Sequence, residues 1–272
     1  MKARVLFGVF GFAFVLLALY VFPPIVLELV VAALCVFATY EVLGSTKLVR
    51  NHLELMLAMA VSLGLAVGHF SILPLRLESV MQGLVLVLLF GSFAIELKYH
   101  DVMKASQVSW AFFGGLAVPY LLLSLLRIFQ MHYHHGSFIV LLPLLAAWGA
   151  DTCALFSGML FGKHKLAPVV SPKKTVEGAI FGVIGGTLAG LVCRAVFVYV
   201  FHMQMPGIPA TIALGLIGSA AGEIGDLAAS LLKRHSGIKD YGHIFPGHGG
   251  VMDRFDSVIF TLIVMYCYTL VL

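Results

Sequence analysis

Carboxylates stand in this sequence where a lipid-compatible segment should exclude them. Asp151 lies in WGADTCALFSG, and Glu223 and Asp226 lie in SAAGEIGDLAAS, each among small and apolar residues. An ionised carboxylate at the centre of a spanning helix costs about 2.5–3.5 kcal/mol on insertion scales, and such groups commonly mark a functional cavity. A bound cation is the simplest compensation. With helical spacing, Glu223, Asp226, Ser230, Lys233 and Arg234 share one face within an arc of roughly 100°. That face runs from carboxylates to cations. HSGIKDYGHIFPGHGG follows, where Gly237, Gly242, Gly247, Gly249 and Gly250 break any helix. Asp253 and Asp256, spaced i,i+3, are then expected to open the last helix on one face. Mg²⁺ is commonly held by one or two carboxylates plus substrate phosphate oxygens, and glycine-rich backbone cradles anions. The pattern therefore suits a divalent cation and phosphates together. The blander reading leaves the same carboxylates to lock helices by pairing with Lys233, Arg234 and Arg254.

The elements that must position these groups are membrane helices. Of 272 residues, 61% are hydrophobic and 11% charged, against about 25% charged in a soluble domain. Such a chain cannot present a wettable surface, so its solvent is lipid. Nine apolar stretches, 4–22, 25–43, 55–74, 79–97, 108–127, 137–160, 176–201, 208–232 and 252–271, are each candidates to span a bilayer. The expected fold class is all-α, a polytopic integral membrane protein. Residues 1–135 would hold the first five spans. Residues 136–272 would form a catalytic part with spans six to nine and the loops 162–175 and 233–251. Lys2 and Arg4 precede the first apolar run, which ends at Pro23–Pro24 with no small-residue cleavage site, so it reads as a retained span.

Charge orients the array. Lys2, Arg4, Lys47, Arg50, Lys98, Lys104, Lys163, Lys165, Lys173, Lys174, Lys233, Arg234, Lys239 and Arg254 fall on the side of the N-terminus, fourteen of the seventeen cations. Arg76 and Arg127 fall opposite, and Arg194 lies inside a span. Cytoplasmic loops collect Lys and Arg, so the N-terminus and both long loops are expected in the cytoplasm. The expected location is the cell inner (plasma) membrane, with the reactive face towards the cytoplasm.

The residues Ser230–Asp256, SLLKRHSGIKDYGHIFPGHGGVMDRFD, resemble the signature of the phosphatidate cytidylyltransferases, also called CDP-diacylglycerol synthases. Ser230, Lys233–Arg234, Lys239–Asp240, Pro246, His248–Gly249–Gly250, Asp253–Arg254 and Asp256 stand at the family spacing. WGADTCALFSGMLFGKHKLAPVVSPKKTVEG, Trp148–Gly178, is similar to a second family stretch, with Leu155 and Val176 where the family often has aromatics. The resemblance implies the reaction of CTP with phosphatidate to give CDP-diacylglycerol and pyrophosphate, with Mg²⁺ required. It implies that Asp226 and Asp253 bind the metal, that a potassium ion lies near them, and that the protein is a homodimer.

On that reading Asp226, Lys239, Asp240, His248, Asp253 and Asp256 are the candidate catalytic residues. Asp151, Lys173, Lys174, Glu223, Ser230, Lys233, Arg234 and Arg254 are the candidate substrate-binding residues. Partners would be CTP, phosphatidate and the bilayer, with nucleic acid not expected. Two alternatives stay open: other lipid CTP chemistry (a CDP-archaeol synthase, or a CTP-dependent polyprenol or phytol kinase), and an ion or phosphate transporter using Asp151, Glu223 and Asp226. A transporter usually carries internal repeats with paired broken helices, and no second half of that kind is apparent.

Other signals carry less. Gly178, Gly182, Gly186 and Gly190 form a G-x-x-x-G series expected to pack helices closely. His132, His134 and His135 fall on the outer side and read as an incidental polar loop. Glu28 and Glu41, near the ends of the second span, read as interfacial. Cys35, Cys153, Cys193 and Cys267 are scattered singly, so neither a disulfide nor a zinc site is expected. Gly158…Gly162-Lys163-His164 lacks the spacing and hydroxyl of a phosphate-binding loop.

Overall fold

A chain whose solvent is hydrocarbon must satisfy its backbone within helices, and the computed structural model is built almost wholly of them. It describes residues 2–73, 77–100, 105–131, 136–245 and 249–271. Arg76, Lys104, the His132–His135 group, Pro246, Gly247 and His248 lie outside the described residues. Among those described, six helices are long and apolar enough to cross a membrane: Pro24–Ser45, Ser79–Lys98, Ser106–Met131, Gly136–Phe161, Val176–Tyr199 and Ile208–His235. Gly11–Tyr20, His52–Val67 and Val258–Val271 are shorter apolar helices. The chain is an all-α, multi-pass membrane protein. It divides into two compact units, residues 1–126 with 235–254, and residues 127–234 with 255–272.

The first unit contains α1 (Lys2–Tyr20), α2 (Pro24–Tyr40), α3 (His52–Val67), α4 (Leu77–Lys98), α5 (Ala105–Phe112) and α6 (Val118–Leu122). Pro24 starts α2, where a missing N–H costs nothing, and the Asn51 side chain caps α3 by accepting the Leu53 N–H. Two π-helical turns interrupt the regular pattern, Glu41–Ser45 after α2 and Phe113–Ala117 before α6. They meet where small residues allow close approach: a side chain at Gly114 would overlap Leu43. The Thr39 hydroxyl lies 2.9 Å from both the Cys35 and the Gly114 carbonyls, bridging the two helices. Leu86, Val87, Phe90, Phe93 and Leu97 of α4 point outward, as expected where lipid replaces water.

Glu28 and Glu41, near the ends of the second span, are enclosed by protein rather than exposed. They are 0% and 1% exposed, and Glu54 of α3 is as deeply buried. Each has a polar partner that sequence order hides. Glu28 accepts the Ser71 N–H at 2.9 Å, and Glu54 accepts the Ser92 hydroxyl at 2.5 Å.

The second unit contains α8 (Gly136–Phe161), the strands β1 (Lys165–Ala167) and β2 (Ser171–Thr175), α9 (Val176–Tyr199), most of α10 (Ile208–His235), and α12 (Val258–Val271). Two four- to eight-residue helices, α7 (Ser124–Met131) and α11 (Met252–Phe255), carry the chain from one unit into the other. The glycine series of α9 packs as its spacing predicts. Added side-chain carbons at Gly178, Gly182 and Gly186 would press on the Ala154, Ala150 and Ala146 carbonyls of α8, at 2.9, 3.1 and 2.6 Å. Both helices step by four residues, so the contact is repeated along their length. The same stripe faces α10, since Gly182 also approaches Glu223 and Gly186 approaches Ser219.

Two expectations change here. The 162–175 segment is not an open loop but an antiparallel hairpin pairing Lys165 with Thr175 and Ala167 with Ser171. The final span is not one helix from 252 to 271. It breaks after Phe255, and Asp256 sits in the turn, its Oδ1 accepting the N–H of Ser257 at 2.9 Å. Short acidic side chains compete for backbone donors in this way.

Candidate active site

In the second unit the hairpin delivers a cation to the acidic face of α10. Thr175 ends β2 and caps α9 by accepting the Gly178 N–H at 3.1 Å. The cap fixes where the strand stops, and Lys174 immediately precedes it. The Lys174 ammonium lies 2.6 Å from Glu223 Oε2 and 2.9 Å from Asp226 Oδ2. Burial alone would pull the lysine pKa down. Asp226 and Glu223 outweigh that and hold it above the ordinary lysine value.

The rest of the acidic face is organised by hydroxyls and a second lysine. The Ser230 hydroxyl donates to Asp226 Oδ1 at 3.3 Å, one turn along α10. On α8, Asp151 Oδ2 accepts the Ser257 hydroxyl at 3.1 Å. Asp256 is 8% exposed, with the Lys233 ammonium 3.9 Å from its Oδ2. Arg234 Nε donates to the Val170 carbonyl at 3.2 Å, tying the end of α10 to the turn of the hairpin. Lys173 is exposed on β2.

Glu177, unassigned from sequence, supports this hairpin. Its carboxylate accepts the backbone N–H groups of Lys163 and His164, and the His164 ring lies 2.6 Å away. Ser257 was also missed. A serine beside an aspartate gives no signal until its distant partner, Asp151, is known.

In the first unit the glycine-rich segment is folded back on itself. Phe245 N–H donates to the Gly249 carbonyl at 3.0 Å. Gly249 has φ +85°, a conformation that favours glycine, and a side chain there would meet Asp253 Oδ2. That oxygen accepts the N–H groups of Tyr241 at 2.7 Å and Gly250 at 3.0 Å. Lys239, Asp240 and Arg254 are exposed. Glu41 belongs to this unit too, and its carboxylate accepts the N–H groups of Val251 and Met252 at 3.0 and 2.8 Å.

Within the second unit, the donor set of Asp151, Glu223, Asp226 and Asp256 fits a hard divalent cation. Every charged acceptor here is a carboxylate, and Glu223 Oε1 is buried without a hydrogen-bond partner. Among the described residues no three acidic, histidine or cysteine side chains form a ready-made metal cluster. An ion at this place would complete its shell with phosphate oxygens, which is the habit of Mg²⁺.

Comparisons with known proteins agree with these observations. The Cytidylyltransferase family profile matches residues 2–272. The chain is 33% identical to a phosphatidate cytidylyltransferase of Haemophilus influenzae over 95% of its own length and 94% of that protein. It is 35% identical to a phosphatidate cytidylyltransferase of Staphylococcus aureus over 91% of its length and 93% of that protein. A 127-residue region is 43% identical to the Staphylococcus haemolyticus protein of the same name.

Proposed function

The chain belongs to the cytidylyltransferase family, and from that premise we propose that it makes CDP-diacylglycerol and pyrophosphate from CTP and phosphatidate. The observation that carries the reading is the pairing of Lys174 with Glu223 and Asp226, within a chain matched to the family over residues 2–272. The Lys174 ammonium draws two carboxylates of α10 together, and carboxylates are the protein ligands Mg²⁺ takes alongside phosphate oxygens.

A phosphate oxygen of the lipid attacks the α-phosphorus of CTP. The new P–O bond forms as the bond to the β-phosphate oxygen breaks, and pyrophosphate leaves with the electron pair. The attacking phosphate is already anionic, so no strong general base is needed. Catalysis rests on positioning and on charge stabilisation, as in other phosphoryl-type transfers. Asp226 and Asp253 would hold Mg²⁺, with Asp256 and Glu223 in support and a potassium ion nearby. When bound, Mg²⁺ neutralises charge on the triphosphate. Lys173, Lys233, Arg234, Lys239 and Arg254 bind the phosphates, and His248 donates to a phosphate oxygen. Asp240 is a catalytic candidate, and Asp151, hydrogen-bonded to Ser257, a substrate-binding one.

The lysine and arginine distribution supports a cytoplasmic site in the inner membrane, where lipid reaches it from the bilayer and nucleotide from the cytosol. The protein would act as a homodimer.

The test is incubation of the purified protein with phosphatidate, Mg²⁺ and CTP labelled on either the α- or the γ-phosphate. Transfer of α-label into lipid supports the proposal. Transfer of γ-label alone would make the protein a lipid kinase instead.

A further inference from the structure

Glu41 is separated from the glycine-rich segment by 210 residues of sequence, yet its carboxylate is fastened to that segment's end. It sits in the π-helical turn Glu41–Ser45 at the end of α2 and is 1% exposed. Oε1 accepts the Val251 N–H at 3.0 Å and Oε2 accepts the Met252 N–H at 2.8 Å. Gly242 and Gly250 close around the same carboxylate, and a side chain on either would overlap it. Gly242 and Gly250, eight residues apart in the segment, therefore rest on one acidic group. The next residue along, Asp253, turns Oδ2 back to the Gly250 and Tyr241 N–H groups.

We infer that Glu41 is a positioning residue for the cytidylyl transfer proposed above, fixing the backbone that aims Asp253. The inference rests on that functional reading. The role needs two acceptor oxygens at a fixed separation. Glutamine has the same shape, but its amide would turn a donor towards one of the two N–H groups. Aspartate keeps both oxygens and stops one methylene short. A π-helical turn at the same place fits a side chain held out of the regular helical register for a purpose.

The experiment compares wild type, Glu41→Gln and Glu41→Asp in detergent by amide exchange and by kinetics. In Glu41→Gln, the Val251 and Met252 amides should exchange faster while those of α3 stay protected. The turnover number should fall about 100-fold, the scale of an ångström-size misplacement, with KM for CTP little changed. Glu41→Asp should show the same pattern if Glu41→Gln does not accumulate. Unchanged exchange at Val251 and Met252 would overturn the inference. So would loss of activity accompanied by exposure of α3, which would make Glu41 a general packing group. Wild-type turnover is scored separately: absence of CMP transfer would sink the reaction, while the exchange comparison would still decide whether Glu41 holds the loop.

Discussion

The Lys174 ammonium lies 2.6 Å from the Glu223 carboxylate, a contact between a two-stranded hairpin and the buried face of a membrane helix. The cap at Thr175 sets the reach of the lysine, and the α9 glycines set the depth of the glutamate. Neither group would be stable at its position without the other, because each is a charge largely removed from water.

Replacing Lys174 by methionine should therefore cost both stability and rate. The lysine pKa is raised on folding, so its stabilising effect is fully present below the unfolded value of about 10.4 and fades only as pH rises through the higher folded value. The stability deficit of Lys174→Met relative to wild type should be constant from neutral pH to mildly alkaline pH. Thermal unfolding in detergent across that range checks it; a deficit that vanished in the mildly alkaline range would reject the pairing.

Asp226→Asn should lower turnover by several orders of magnitude and leave the helices folded. The substitution keeps shape and removes charge beside Lys174 and Ser230. Near-normal turnover in a folded variant would remove Asp226 from the chemistry.

Lys239→Ala should act differently, since the side chain is exposed in the glycine-rich segment. KM for CTP or phosphatidate should rise roughly ten- to a hundredfold, as for loss of one charge-assisted contact of roughly 1.5–3 kcal/mol. Unchanged steady-state kinetics would reject its assignment to a phosphate.

The glycine stripe predicts a purely structural effect. Gly186→Leu should unfold or prevent assembly of the second unit, because an added carbon meets the Ala146 carbonyl at 2.6 Å and Ser219 as well. Gly11→Ala, with nothing within 4 Å of the added carbon, should be neutral. Detergent thermal scans of both variants make the comparison.

Much of this was legible in the residues. Hydropathy located the helices, and the four-residue glycine spacing of α9 foretold its close contact. The acidic positions on α10 were visible as charges inside apolar sequence. What sequence could not supply was partnership. Glu41 looked like an end-of-span charge because the groups it binds, the N–H donors of Val251 and Met252, are backbone atoms far along the chain. Asp151 and Ser257 were separated in the same way. The hairpin at 165–175 escaped because its strands are three and five residues long, too short for an alternating pattern to register. The break at Asp256 was hidden by helical spacing that suited an unbroken span equally well.

The proposed metal site depends on two aspartates acting on one ion with the nucleotide. Binding of Mn²⁺, as a spectroscopic substitute for Mg²⁺, should be measured by electron paramagnetic resonance in the presence of CTP for wild type, Asp226→Asn and Asp253→Asn. Wild type should bind the ion, and each single variant should weaken binding about tenfold or more, as loss of one charged ligand implies. Wild-type affinity in either variant would contradict a site shared by Asp226 and Asp253.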